Sequence, residues 1–554
     1  LTHPLYEKHR ETLDRAMAAI GDRGYWSPYP ESASPRFYGE GAAERGKAAY
    51  DALLGHPFPL ELPGATGTTG GERSPYGPRL GVTYPKVDLD ALFAGIAKAE
   101  AGWRAAGPQA WVGVCLEALA RINQASFEIA NAVMHTTGQA FMMAFQAGGP
   151  HAQDRGLEAV AYAYDAMRRV PERALWEKPQ GKGDPLRMEK RFRVVPRGVG
   201  LVIGCCTFPT WNGYPGLFAS LATGNAVVVK PHPAAILPLA ITVKIVRDVL
   251  AEAGFDPNVV TLVAHAAGDD TAQKLALRPE VKIIDFTGSS ANGEWLESHA
   301  RQAQVYTEKA GVNQVVVDST ADLPGLARNL AFSLALYTGQ MCTAPQNIYI
   351  PRDGIRTPEG TKSFDEVAGA IADAVRKLVG DPARAVEILG AVQNQGVLDR
   401  LEKARKLPHL VLDTQAIAHP AFPDAAVRTP LIAKLDAKDG ATYLSEWFGP
   451  IAFVIAVDST EQAFAIARDA VKRHGALTLA LYSTDDAVVD GAVEVAEDAG
   501  VALSINLTGA VFVNQSAAFS DFHGTGANPA ANAALTDAAF VSNRFRVVQH
   551  RRHV

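Results

Sequence analysis

Apolar residues recur at helical spacing, with few breakers, over 90–106, 110–137 and 154–167, and three successive helices are expected there. Beyond Arg191 the pattern changes. Short β-branched or apolar runs at 198–203, 226–229, 259–263 and 281–286 alternate with helical stretches ending near Thr223 and covering 236–253 and 269–277. Buried strands separated by helices predict a parallel, doubly wound sheet with helices on both faces. Such sheets bind ligands outside the carboxyl ends of their strands. A second alternation runs from Val312 to about Ser504, with strand patterns at 315–317, 347–350, 451–457 and 477–481. Helical patterns at 322–338, 362–379, 460–473 and 486–498 lie between and beside them. This predicts a second α/β domain. Before residue 88 the pattern is weak, and Pro28, Pro30, Pro35 and the glycine-rich stretch 64–77 suggest an irregular wrap or extension.

Length agrees with this division, since 554 residues exceed what one hydrophobic core organises. A formal charge of -6 gives no reason to expect nucleic acid or an anionic membrane as partner. The terminal basic residues Arg544, Arg546, Arg551 and Arg552 read as a surface or subunit-contact strand. Four cysteines, at 115, 205, 206 and 342, form no disulfide framework in a chain this long and fit a reducing cytosol. The chain opens without an apolar h-region, so no signal peptide is expected, and its apolar runs are too short or too glycine-broken to span a bilayer. A soluble cytoplasmic protein is the expectation.

Cys342 lies in Thr338-Gly339-Gln340-Met341-Cys342-Thr343, between a helical stretch and a strand, where a thiol is better exposed for attack than in a helix. Free cysteines are nonetheless usually buried small residues, as Cys115 in its apolar helix should be. Glu308 ends an apolar strand segment and is a candidate base, although carboxylates at such ends are usually solvated. Lys230 directly follows a strand and can reach a ribose or phosphate, or remain a surface lysine. Phe286-Thr287-Gly288-Ser289 ends a strand and opens a helix, whose first N–H groups favour an anion. Many such turns carry Gly-Ser only for capping. The GxGxxG fingerprint is absent from this turn, which disfavours an ordinary Rossmann dehydrogenase. His550 and His553 lack companion ligands, Cys205-Cys206 cannot chelate zinc unaided, and no metal is expected.

Taken in order, these pieces resemble the aldehyde dehydrogenase superfamily from about Asp88 to the end, about four fifths of the chain. They are Ala222-Thr223-Gly224-Asn225 leading to Lys230-Pro231, Phe286-Thr287-Gly288-Ser289, Glu308 with Gly311, Gly339-Gln340-Met341-Cys342, and Glu446-Trp447-Phe448-Gly449-Pro450. Within the superfamily the chain looks most like the aldehyde dehydrogenases of aerobic phenylacetic acid degradation. That narrower likeness rests on Tyr-Trp-Ser-Pro-Tyr-Pro at 25–30, the extended front and Thr207-Phe208-Pro209-Thr210-Trp211.

The resemblance implies an aldehyde dehydrogenase-like α/β fold. A nucleotide-binding parallel-sheet domain (88–180 and 195–307, with a return at 505–534) would face a second α/β catalytic domain (308–504). A small β oligomerisation arm (181–194 and 535–554) would pair subunits into a homodimer or homotetramer, and residues 1–87 form an extension of open role. It further implies NAD(P)-dependent oxidation of an aldehyde to an acid through a Cys342 thiohemiacetal and thioester, with Glu308 activating water. Lys230 would hold the adenosine ribose, Glu446 and Phe448 the nicotinamide ribose and ring, and Gly288, Ser289 and Gly268 would lie against the cofactor. The aldehyde is a small molecule, with a CoA-linked semialdehyde from aromatic-ring breakdown as one candidate.

Two departures stand out. Counted without gaps back from Lys230, Thr207 occupies the place of the family's oxyanion-binding asparagine, and Asn212 is the alternative donor. Loss of such a donor costs roughly 10²–10³ in rate. Pro233 stands where many NAD-preferring members carry a glutamate, so NADP is the expected cofactor, with NAD left open. A CoA-acylating dehydrogenase, a cofactor-free thioesterase or esterase, and an inactive binding protein on the same fold are the alternatives. Relatives that acylate CoA generally lack the deacylating glutamate, so Glu308 argues against the first. The chain ends soon after the dehydrogenase region, so the appended hydratase domain of some bifunctional relatives is not expected.

Overall fold

The computed structural model describes residues 3–554; the first two residues of the expected extension lie outside the described residues. The front is more regular than its composition suggests. Helices Arg10–Asp22 and Ala42–Leu53 are followed by a hairpin of β1 (Ala65–Gly70) and β2 (Thr83–Val87). The helical region that follows runs as Leu89–Gln124, Ser126–Thr137, Phe141–Gly148 and Pro150–Arg168. Gly107, at φ 78°, kinks the first of these where Pro108 removes a backbone donor.

β3 (Arg173–Gln180) and β4 (Gly183–Pro196) form an antiparallel pair completed by the C-terminal strand described below. The first doubly wound sheet contains β5 (Val199–Ile203), β6 (Val227–Lys230), β7 (Val260–Leu262), β8 (Val281–Thr287) and β9 (Gln304–Glu308). Its order is β7-β6-β5-β8-β9, all parallel, so the chain reverses direction across the sheet beside β5. Register pairs Ile203 with Lys230 and Phe286, and Thr287 with Glu308, which brings four strand ends to one edge. Helices Pro209–Ala222 and Leu237–Glu252 pack on one face, while Leu92, Phe93 and Ile96 close the other.

The second sheet contains β10 (Gln314–Val317), β11 (Asn347–Pro351), β12 (Leu410–Leu412), β13 (Leu431–Asp436), β14 (Ile451–Val457), β15 (Thr478–Tyr482) and β16 (Ala502–Ile505). Its order is β12-β13-β14-β11-β10-β15-β16, parallel except for the β12–β13 pair. Separate apolar clusters on its two faces are covered by helices Leu323–Ala335 with Phe364–Leu378, and Thr460–His474 with Asp486–Ala499. The return segment crosses back to the first sheet, where Lys309 N–H donates to the Ala530 carbonyl at 2.6 Å. β17 (Phe545–His553) pairs with β4, giving the three-stranded order β17-β4-β3. β3, grouped with the nucleotide-binding part in the sequence reading, thus belongs to this small sheet.

Arg544 corrects the expectation of a surface arginine cluster. It is 0% exposed and clasps Asp285 with two bonds of 2.8 and 2.6 Å. Its partner lies 259 residues away, so the sequence reading grouped it with its exposed neighbours. No helix among the described residues is long and apolar enough to cross a membrane.

Candidate active site

The loop that presents Cys342 is held in a costly shape. Tyr337, Thr338 and Gly339 all have positive φ (52°, 53° and 61°), a conformation that L side chains adopt only when their surroundings fix it. Here they do. The Tyr337 hydroxyl donates to the Thr137 carbonyl, and Thr338 Oγ1 donates to the Leu389 carbonyl at 2.6 Å. Gly339 cannot be replaced without cost, because a Cβ there would stand 2.3 Å from the Gly449 carbonyl oxygen. Past the bend, the Asn313 amide donates to the carbonyls of Cys342 and Ala344 at 2.8 and 2.9 Å, and Thr343 Oγ1 donates to the Asn514 carbonyl. Cys342 is partly exposed and lines a cavity of about 750 Å³.

Glu308, the last residue of β9, is only 1% exposed. Its carbonyl accepts from Gly288 N–H at 3.0 Å, so neighbouring strand ends fix its backbone. Asn212, in the first turn of helix Pro209–Ala222, donates to Glu308 Oε2 at 2.9 Å, and its own carbonyl accepts from the Cys205 thiol at 3.7 Å. Cys205 thereby orients the amide. Glu308 Oε1 is buried with no aligned hydrogen-bond donor, although His523 Nε2 lies 3.1 Å away. Burial alone would raise the Glu308 pKa, but His523, the Cys342 thiol and Arg155 together hold it below the usual carboxylate range. Burial, and after it the Glu308 charge, push the Cys342 thiol well above its ordinary range.

Donor atoms of Glu308, Cys342 and His523 all lie within 4.8 Å of one another. His523 was missed by the sequence reading, which weighed histidines only as metal ligands. Its place in Phe522-His523-Gly524, in a return segment without periodicity, carried no signal that would have found it. The structure brings together Cys342, Glu308 and Asn212, and all but Glu308 line the cavity. Thr207 is not among the cavity-lining residues; its carbonyl accepts from Gln139 Nε2 at 2.8 Å.

Lys230, at the carboxyl end of β6, is 5% exposed and makes no ion pair among the described residues. Burial lowers its pKa to about 8, and burial, then the Lys230 charge, lowers those of His232 and His265. A buried ammonium without a counter-ion is suited to an anionic ligand. Gly288 spends its N–H on Glu308, and Ser289 is exposed and caps helix Ser290–His299 by accepting from Asn292 N–H. Gly268 lies in an exposed turn at φ 82°, three residues past His265. Glu446 accepts from Gly311 N–H at 3.5 Å, and its pKa is raised to about 7 by burial, against the pull of Arg400. The Phe448 carbonyl accepts from Arg400 Nε at 2.8 Å. The motif residue Asn225 is a structural tie: its side chain bonds Arg197, Gly198, Ser220, Thr223 and Arg544.

Comparison with known proteins identifies the family. The crystal structure of NAD-dependent aldehyde dehydrogenase from Burkholderia multivorans is 67% identical, has a TM-score of 0.99 and matches over 100% of both chains. The 1-pyrroline-5-carboxylate dehydrogenase of Geobacillus thermodenitrificans is 30% identical over 220 residues, 38% of this chain and 40% of that protein. That of Bacillus licheniformis is 26% identical over 395 residues, 67% of this chain and 69% of that protein. The Geobacillus alignment therefore spans less than two thirds of that relative. The family model described as the aldehyde dehydrogenase family matches residues 83–526, through both parallel sheets and the whole Cys342 cluster, and the chain belongs to that family.

Proposed function

We propose that the protein oxidises an aldehyde to its carboxylic acid with a nicotinamide dinucleotide, using Cys342 as nucleophile and Glu308 as the base of the hydrolytic step. One observation carries this reading: Cys342 opens on the cavity while Glu308, behind it, keeps one buried oxygen free of aligned donors. The Cys342 sulfur attacks the carbonyl carbon and the carbonyl oxygen takes up the negative charge. Asn212 has a second amide hydrogen beyond the one on Glu308, and with the Cys342 N–H it stabilises that oxygen. When bound, the dinucleotide accepts the hydride that leaves the thiohemiacetal. Glu308 Oε1 then takes a proton from water as the water oxygen attacks the thioester carbon; the C–S bond breaks and the acid departs.

Lys230 supports an NADP preference, because an unpaired ammonium attracts a ribose 2′-phosphate and Pro233 offers no opposing carboxylate. NAD remains an accepted cofactor in this reading. The cavity wall includes Trp26, Phe208, Trp211, Phe332 and Phe512, which suits an apolar or aromatic aldehyde body. It carries Glu31, Asp154, Glu387 and Asp521 but no lysine or arginine. A CoA-linked semialdehyde from aromatic-compound breakdown therefore fits only with its phosphates outside the cavity. Four unpaired thiols support a cytoplasmic setting. Leu175, Leu186, Val547 and Val548, exposed on the three-stranded sheet, support pairing with a second copy there.

The test is a panel of aliphatic, aromatic and CoA-linked aldehydes with NADP and NAD, the product identified as acid or, with free CoA added, as acyl-CoA. Acid is expected in both cases; acyl-CoA as main product would replace hydrolysis with acyl transfer. Asn212→Ala should lower kcat/KM roughly 10²-fold and Thr207→Val only slightly. The reverse order would return the oxyanion to Thr207.

A further inference from the structure

We infer that His523 is a further catalytic residue, which accepts the proton of the Cys342 thiol so that the attacking group is a thiolate paired with an imidazolium. The inference rests on Cys342 being the nucleophile of the reaction proposed above. His523 Nε2 lies 3.8 Å from Cys342 Sγ in hydrogen-bonding orientation and 3.1 Å from Glu308 Oε1. The Oε1 atom has no aligned donor, so the ring directs its nitrogen at sulfur and acts on the carboxylate through charge. A protonated ring would stand between two atoms that both carry negative charge.

Without such a partner the thiol stays protonated. Burial and the adjacent Glu308 carboxylate both oppose ionisation of Cys342. Transfer to His523 offsets both, because the new cation pairs with the sulfur and with the carboxylate at once. The balance is simple. The S–H bond breaks and an Nε2–H bond forms, so a neutral pair becomes a thiolate and an imidazolium; when the C–S bond breaks at the end of turnover, the proton returns to sulfur.

Trp211 packs on the ring, and contacts to the preceding residues hold its segment. Trp211, next to Asn212, meets it edge to face at a centroid distance of 4.7 Å, and the Arg155 guanidinium lies 4.9 Å from the Trp211 ring. Arg155 also donates to the Asp521 carbonyl, Arg23 donates to the Ser520 carbonyl at 3.2 Å, and Trp26 packs on Phe519. The N-terminal extension thus helps to anchor the His523 segment. The charged and titratable groups about the ring are Glu308 on β9, Cys342 on the strained loop and Arg155 behind Trp211; Asp154, and Asp521 on the ring's own segment, line the same cavity.

The decisive measurement needs neither cofactor nor aldehyde, so it separates this idea from the proposed reaction. Cys342 alkylation by iodoacetamide is followed against pH, the adduct located by peptide mass, in the wild type, His523→Gln and Glu308→Gln. In the wild type the rate should titrate with an inflection below about 7, against about 8.5 for an ordinary thiol. His523→Gln should move the inflection upward and slow alkylation at pH 7 by about tenfold or more. Glu308→Gln should keep an inflection below the ordinary thiol value, since His523 remains to take the proton. Thiolate absorbance in the unmutated protein, as a difference titration against Cys342→Ala, should give the same low inflection and does not depend on how His523→Gln folds. An inflection at or above the ordinary thiol value in the wild type, or loss of reactivity in Glu308→Gln with His523→Gln spared, overturns the inference.

Discussion

Two buried carboxylates on adjacent strands of one sheet have opposite fates. Asp285 on β8 is in register with Tyr306, two residues before Glu308 on β9, so the two acids point from the same face. Asp285 has a donor on each oxygen: Arg544 grips both, and that guanidinium also reaches Ser220 Oγ and the Phe540 carbonyl and lies against the Tyr306 and Phe540 rings. Glu308 has one oxygen on Asn212 and the other without an aligned donor. A buried acid with both oxygens paired to a buried guanidinium is a strut. One left partly unsatisfied at a cavity keeps capacity to take a proton, and the fold bears the cost of holding it so.

The contrast predicts that mutations divide by which acid they touch. Cys342→Ala has the largest effect: hydride transfer should vanish in a single-turnover assay while the thermal midpoint stays near wild type. Residual hydride transfer would remove Cys342 from the chemistry. Glu308→Gln should keep a burst of reduced cofactor but slow steady turnover by about 10²–10⁴-fold, with little loss of stability. If it abolished the burst as well, Glu308 would have to act before deacylation.

Arg544→Met tests the other half. Stranding Asp285 in the core should cost about 3–5 kcal/mol, read from denaturant midpoints, whereas replacing both partners with apolar residues of similar size should recover much of it. The kinetics per folded molecule should hardly change. A large fall in kcat without destabilisation would show that the two acids are not divided as argued.

How far the sequence could reach follows the same line. Strand ends and the Cys342 loop were legible because buried β-branched runs and glycine-bearing turns are local signals, and β5, β6, β8 and β14 fall within a residue or two of the patterns that announce them. Helices Arg10–Asp22 and Ala42–Leu53 were hidden by alanine-rich, charged sequence with few large apolar residues between proline clusters. Partners distant along the chain left no trace: Arg544 lies 259 residues from Asp285, and His523 181 from Cys342. The choice between Thr207 and Asn212 was left open by counting along the chain, because which of them reaches Glu308 depends on helix Pro209–Ala222, whose first turn holds Asn212 against that carboxylate.

The smallest expected effect concerns a third buried charge, Lys230, which is unpaired like Glu308 Oε1 but of opposite sign. Burial lowers its pKa to about 8, so it is charged below that value and neutral above it. The 2′-phosphate, with a second pKa near 6, is a dianion throughout that range. Attraction is therefore present at neutral pH and fades as pH rises through about 8, although bound phosphate raises the lysine's own pKa and shifts the loss to higher pH. NADP affinity should weaken across this window while NAD affinity, lacking the phosphate, stays flatter. Lys230→Met should lower the NADP-to-NAD ratio of kcat/KM by about tenfold and flatten the pH dependence of that ratio. A strong NAD preference in the wild type, with the ratio unmoved by Lys230→Met, would leave Lys230 as a ribose contact alone and make the acid–base contrast a property of the catalytic end of the sheet only.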